Sequence, residues 1–146
     1  MSQERKVVCL ECGAINRLPA GRPAAEAKCG SCGRLLFTGR PKDVDAAMLT
    51  RQVEKGTIPV VVDVWASWCG PCQAMAPEYE RAAAATEPDA RFLKLNSDAE
   101  HAMSASLGIR SIPTMLLFNG GREVGRVSGA MSAARIRSWV ADRLSG

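Results

Sequence analysis

The chain has 146 residues, 47% hydrophobic and 23% charged, with six cysteines and a formal net charge of +4. That length accommodates one full domain plus a small module, and without a run of about 18 apolar residues no membrane span is expected. Met1-Ser2-Gln3-Glu4-Arg5-Lys6 is charged and no apolar stretch follows it, which argues against a secretory signal and for a cytoplasmic setting.

All six cysteines fall in Cys-x-x-Cys pairs, at 9 and 12, 29 and 32, 69 and 72. This spacing suits metal or redox chemistry better than structural bridging. Residues 1–40 hold seven Lys or Arg against three Glu, and the remainder holds twelve of each sign, so the excess charge lies entirely in the first segment. Four thiolates around one divalent zinc would remove about two units of that excess. The rest is weak ground for nucleic-acid binding, which needs several phosphate contacts.

Cys9-Leu10-Glu11-Cys12, sixteen residues, then Cys29-Gly30-Ser31-Cys32 fits the spacing of a four-cysteine zinc site. Each pair predicts a knuckle, with Gly13 and Gly33 after the second sulfur, where left-handed backbone is often needed. Lys6-Val7-Val8 and Arg34-Leu35-Leu36-Phe37 are predicted as short flanking strands, and Pro19 to Ala25 as an exposed, mobile loop. Tetrahedral binding by four sulfurs leaves no open position, so such a site builds structure and does not activate water. The apolar side chains here are few: Val7, Val8, Leu10, Ile15, Leu18, Leu35, Leu36 and Phe37. The metal would therefore supply much of the folding energy. The competing reading, two structural or redox disulfides, is disfavoured in a reducing compartment.

Thr38-Gly39-Arg40-Pro41 marks a boundary between a module at 1–40 and a domain at 41–146. Asp45 is expected to cap a helix to about Lys55, with Met48, Leu49 and Val53 inward. Val60-Val61-Val62-Asp63-Val64-Trp65 predicts a strand buried on both faces. A lone buried carboxylate there must keep a proton or find a partner, so Asp63 is a candidate functional group. Gly70 and Pro71 make a tight turn into a helix to about Ala85, with a kink expected at Pro77. Cys69 would stand beside unpaired N–H groups at that helix N-terminus, which favour a thiolate. A thiol so placed can fall from about 8.5 into roughly the 3.5 to 7.5 range. The bland alternative for Cys69 and Cys72 is half a zinc site or two core cysteines.

Arg91 to Asn96 alternates as the next strand, and Ser97 or Asp98 is expected to cap a helix to about Leu107, ended by Gly108. Thr114 to Phe118, a turn at Asn119-Gly120-Gly121 and Arg122 to Ser128 form a hairpin signal. A final helix from Ala133 to Leu144 places Ile136, Val140 and Leu144 on one face with Trp139 beside them. His101 is read as a solvated helix residue, and Trp65 and Trp139 as core aromatics.

Trp68-Cys69-Gly70-Pro71-Cys72, after a strand carrying Asp63 and Trp65, closely resembles the active site of the thioredoxin family. The order β-α-β-α-β-β-α is similar to the α/β thioredoxin fold, a central mixed sheet flanked by helices. Its first strand is expected to be short or absent, because only Pro41 to Val44 are left for it. Ile112-Pro113-Thr114 matches the family's cis-proline segment, and the zinc-ribbon-like module in front resembles the N-terminal extension of the second bacterial thioredoxin type.

The resemblance implies a protein-disulfide reductase. Cys69 would attack the target disulfide, Cys72 would resolve the mixed disulfide, and Asp63 would accept the proton of Cys72, with Lys94 near that acid. Trp68, Gly70, Pro71, Ile112, Pro113, Gly129 and Ala130 would form the docking patch; Gln73 departs from the family's usual basic residue. One structural Zn²⁺ on Cys9, Cys12, Cys29 and Cys32 is implied, with no organic cofactor. The implied partners are disulfide-containing proteins and a thioredoxin-reductase-type electron donor, with neither nucleic acid nor membrane. Two other readings stay open: a disulfide oxidase or isomerase on the same fold, and a ribbon that binds a partner or nucleic acid with the second domain as scaffold.

Overall fold

The computed structural model describes residues 4–145. The N-terminal segment is an antiparallel ribbon, β1 (Arg5–Val8) against β2 (Ile15–Leu18), followed by a single 3₁₀ turn at Ala24–Glu26. The second ribbon strand lies earlier than the sequence suggests. Arg34 to Phe37 makes only an isolated bridge, Lys28 to Leu35, because Leu36 and Phe37 turn into the small core instead of extending. Asn16 explains why the pairing falls at 15–18: its side chain accepts from Gly30 N (2.9 Å) and donates to Cys29 Sγ (3.5 Å), joining β2 to the second knuckle. Of the loop expected from Pro19 to Ala25, residues 19–23 are exposed, but Ala24 is buried in the small core where the 3₁₀ turn begins.

The rest of the described chain wraps a five-stranded mixed sheet. Its order is β3 (Lys42–Asp43), β5 (Arg91–Asn96), β4 (Val60–Trp65), β6 (Thr114–Asn119), β7 (Arg122–Ser128). β3, β5 and β4 are parallel, β6 runs against β4, and β7 folds back antiparallel on β6 as a hairpin. β3 is two residues long, since Pro41 in front has no N–H to give and Asp45 behind already caps a helix. The first strand of the resembled fold is thus short but present.

The helices are α1 (Ala46–Lys55), α2 (Gly70–Thr86), α3 (His101–Ser106) and α4 (Ala133–Ser145). Apolar residues alternate across the sheet and fill both sides. Val61, Phe92, Met115 and Leu117 pack with Met75, Tyr79, Ile136 and Val140 of α2 and α4. Val60, Val62, Val64, Leu93, Leu95 and Leu116 pack with Leu49 of α1 and with Met103 of α3. Helix α2 continues through Pro77. α3 starts later than expected, and neither Ser97 nor Asp98 caps it; Asn96 Oδ1 accepts from the N–H groups of Asp98 and Ala99 instead, which turns the chain at the strand end.

The ribbon is bonded to the sheet where β4 and β5 begin, at the opposite end of β4 from Cys69. Arg91, 2% exposed, donates to Leu36 O (2.9 Å) and Val8 O (3.1 Å), and its guanidinium lies 4.2 Å from the centre of the Phe37 ring. Burial lowers its pKa to about 10, opposed by the nearby Glu87 carboxylate. Glu87 in turn accepts from Gly39 N and Phe92 N. Gln52 adds a bond to Val8 O, Arg51 one to Gly13 O, and Thr57 exchanges three with the Lys6 backbone. Removing one partner of a buried charged set leaves the others uncompensated. Arg91→Ala is therefore expected to destabilise the protein by about 3–5 kcal/mol, checked by urea unfolding at neutral pH; a loss below about 1 kcal/mol, the range of surface pairs, would show that Arg91 is not the clamp.

Candidate active site and metal centre

β4 ends at Trp65, and Ala66-Ser67-Trp68 turns the chain into α2 with Cys69 as its N-cap residue. Cys69 has extended backbone (φ −85°, ψ 112°), and its sulfur accepts from the N–H of Cys72 at 3.2 Å. The sulfur therefore sits on the unpaired amides of a helix N-terminus, where negative charge is favoured. Cys69 and Cys72 are joined as a disulfide and are 5% and 3% exposed. Gln73 bonds back to the Ser67 carbonyl and tightens the same turn.

The Ile112-Pro113 peptide is cis and holds Ile112 O 3.8 Å from Cys69 Sγ. Trp68 is 70% exposed, with its indole N–H donated to Asp98 Oδ2 at 2.9 Å. A groove of about 600 Å³ runs beside the sulfur, lined by Trp68, Cys69, Gly70, Pro71 and Ile112 together with Asp98, His101, Ser104 and Arg110. Four of the seven residues expected in a docking patch thus share its wall. Pro113 is buried behind it, while Gly129 and Ala130 are exposed and do not line it; Gly129 is tied to the site by its N–H on Pro113 O at 2.9 Å. His101, expected on a solvated helix, is exposed but stands on this wall. The signal that locates it is strand pairing: Trp65 is opposite Asn96, so whatever follows β5 lies beside whatever follows β4.

Asp63 lies in mid-strand, opposite Lys94 of β5 and Met115 of β6, and is 1% exposed. Burial raises its pKa to about 7, Lys94 opposing and Asp43 reinforcing the shift. Its Oδ1 has no hydrogen-bond partner among the described residues. Lys94 is half-buried, with Nζ 4.6 Å from the centre of the Trp65 ring, and the Trp65 indole donates to Asp43 Oδ1 at 2.8 Å. Trp65 is thus more than a core aromatic, because it organises charge beside the site.

The four remaining cysteines converge at the ribbon tip. Their sulfurs all lie within 4.8 Å of one another, with Cys9–Cys32 and Cys12–Cys29 at 3.6 Å. A tetrahedron with metal–sulfur bonds of about 2.3 Å has edges near 3.8 Å, so the arrangement fits one Zn²⁺-sized ion. The knuckles are near copies. Glu11 N donates to Cys9 Sγ and Ser31 N to Cys29 Sγ; Gly13 N closes on Cys9 O and Gly33 N on Cys29 O. Both glycines have φ near +80° (79° and 80°), which a side chain would strain. Amide donors to the sulfurs stabilise them as thiolates, the form that binds metal.

The family model described as Thioredoxin matches residues 41–142, and the one described as Thioredoxin 2, N-terminal matches residues 8–34. Thioredoxin C-3 of Corynebacterium nephridii is 36% identical over 138 residues, 94% of each chain. The thioredoxin of Alicyclobacillus acidocaldarius subsp. acidocaldarius is 42% identical over 94 residues, 64% of this chain and 90% of that one. Among solved structures, spinach chloroplast thioredoxin f (long form) superposes with a TM-score of 0.67 at 34% identity, covering 74% of this chain and 89% of its own. With its disulfide at the head of α2 and its four-cysteine ribbon, the chain belongs to the thioredoxin family of thiol–disulfide oxidoreductases.

Proposed function

We propose that the protein is a thioredoxin 2-like protein-disulfide reductase, and the observation that carries this is the Cys69 sulfur held on the Cys72 amide at the head of α2, beside Ile112 O and the groove. In the reduced protein the Cys69 thiolate attacks one sulfur of a target disulfide. The target S–S bond breaks, its second sulfur leaves as a thiolate and takes a proton from water, and a mixed disulfide joins target to Cys69. Cys72 passes its proton to ionised Asp63, and its thiolate attacks Cys69 Sγ. The mixed disulfide breaks, the Cys69–Cys72 bond forms, and the target departs carrying two electrons. A thioredoxin-reductase-type donor restores the dithiol. A carboxyl whose pKa is about 7 suits that proton transfer near neutral pH.

An extended target segment fits along Trp68, Gly70, Pro71 and Ile112, with Pro113 shaping the backbone and Gly129 and Ala130 extending the contact at the rim. Cys9, Cys12, Cys29 and Cys32 would hold one structural Zn²⁺, which when bound cross-links the knuckles and leaves no coordination position for chemistry. The units run 1–40 and 41–146. A site of four reduced thiols supports a cytoplasmic setting, and no described helix is long and apolar enough to cross a membrane.

Cys69→Ser is expected to abolish turnover in an insulin-type reduction assay, while Cys72→Ser forms a mixed disulfide with the target that persists on non-reducing gels; turnover surviving the first change would overturn the mechanism. Metal analysis should find one zinc per chain, and stripping it with a chelator should lower the unfolding midpoint, because the ribbon core is too small to fold alone; unchanged unfolding after complete removal would contradict a structural ion.

Asp63 also makes stability depend on pH. Its folded pKa lies above the ordinary carboxylate value, so between about pH 4 and 7 the folded state keeps a proton that the unfolded state has released. The penalty is absent below that window, grows through it and levels off above it. Asp63→Asn should therefore stabilise the protein, with a gain at pH 8 exceeding that at pH 5 by on the order of 2 kcal/mol. Urea unfolding at the two pH values checks this, and equal gains would show that the acid is not held protonated.

A further inference from the structure

Asp43, Lys94 and Asp63 stand in register on three adjacent parallel strands, Asp43 opposite Lys94 and Lys94 opposite Asp63. Residues paired this way project from the same side of the sheet, about 4.8 Å apart per strand. The result is a row of carboxyl, ammonium and carboxyl groups running from the exposed edge into the core. Lys94 forms no ion pair within 4 Å among the described residues; its ammonium rests on the Trp65 face, and the Trp65 indole is bonded to Asp43. Trp65 thus covers the row and holds the edge carboxylate in it.

We propose that Asp43 is a positioning residue for the buried carboxyl of Asp63. Held by Trp65, it shares Lys94 with Asp63 and adds its own negative charge, so that Asp63 keeps a proton that Lys94 alone would expel. The inference rests on the reading of Asp63 as the proton acceptor only for its consequence in turnover. Without Asp43, the ammonium would act on Asp63 alone and favour its ionised form.

The other groups around Asp63 do not supply this effect. Tyr79 of α2 faces it, but the Tyr79 hydroxyl is fully buried, bonds Leu93 O at 2.7 Å and Val61 O at 3.2 Å, and is held neutral by burial first and by Asp63 second. Cys72 on the same helix is in the disulfide and does not titrate. β6 places Met115 opposite, and α4 contributes Ile136 and Val140 to that side of the core. Lys94 and Asp43 are the charges that act on it.

The test is a carbon-detected NMR titration of the aspartate carboxyls in the full-length disulfide form, in which Cys69 and Cys72 release no protons. Asp43→Asn keeps an acceptor for the Trp65 indole and removes the charge. The Asp63 midpoint is expected to fall by about half a unit or more, while Lys94→Gln raises it. If the asparagine variant does not fold, Asp43→Ser, which also keeps an acceptor, is read in the same way. An unchanged or raised Asp63 midpoint, with the indole N–H signal still in its hydrogen-bonded position, overturns the proposal, since a merely structural Asp43 would give that result. The pH profile of disulfide reduction by the same variant separates the two readings. A midpoint that falls with a profile that follows it supports both; a midpoint that falls under an unmoved profile leaves Asp43 acting on Asp63 and removes Asp63 from the proton transfer.

Discussion

β4 and β5 pair in parallel over six residues, from Val60 opposite Arg91 to Trp65 opposite Asn96. Each stretch of that ladder delivers something different. At its start, Arg91 emerges beneath the ribbon and takes two of the ribbon's carbonyls. In its middle, Lys94 comes opposite Asp63. At its end, the chains leaving both strands lie side by side, which brings Asp98 to the Trp68 indole and α3 to the wall of the groove. A slip of one residue would turn every one of these side chains to the other face. The apolar pattern on both sides of the sheet is what forbids the slip.

The ribbon and the redox centre occupy opposite ends of this ladder. Val8, whose carbonyl takes both Arg91 and Gln52, is the neighbour of Cys9, so the clamp and the four-cysteine cluster adjoin. A small apolar cluster around Val7, Leu18, Leu36 and Phe37 completes the junction. Arg91 and Glu87 are costly to bury, but each is bonded to two backbone groups, Arg91 to carbonyls and Glu87 to amides. Two segments that would be loosely tethered by Gly39 and Pro41 are thereby joined through hydrogen bonds on both sides of the linker.

The active-site end works against stability. A carboxyl with an orphaned oxygen is held in a core of valine, phenylalanine and methionine, where an amide or an apolar side chain would be better tolerated. A lone lysine nearby would relieve the strain by ionising the acid, but Lys94 is drawn onto an aromatic face and shared with the edge carboxylate. That arrangement keeps a buried carboxyl titrating toward neutral pH at the cost of folding energy, a familiar trade at reactive sites.

Local chemistry alone determined much of this protein. The four-cysteine spacing, the glycines after each knuckle, the Asp45 cap, the hairpin and the helix opening on Cys69 all depend on residues close in the chain, and all appear, the hairpin turn narrowed to Gly120-Gly121 because Asn119 pairs with Arg122. The cost of burying Asp63 was equally legible, because an acid inside a valine run is expensive in any fold. What the sequence could not decide was partnership at a distance. Ribbon strand β2 is chosen over 34–37 by Asn16 reaching the second knuckle. Arg91 and Gln52 look like surface residues until carbonyls from the ribbon arrive to satisfy them, and His101 is far from the redox motif in sequence but shares its groove. Those outcomes belong to tertiary structure because each hinges on which polar group meets which across tens of residues, and only the packed sheet settles that register.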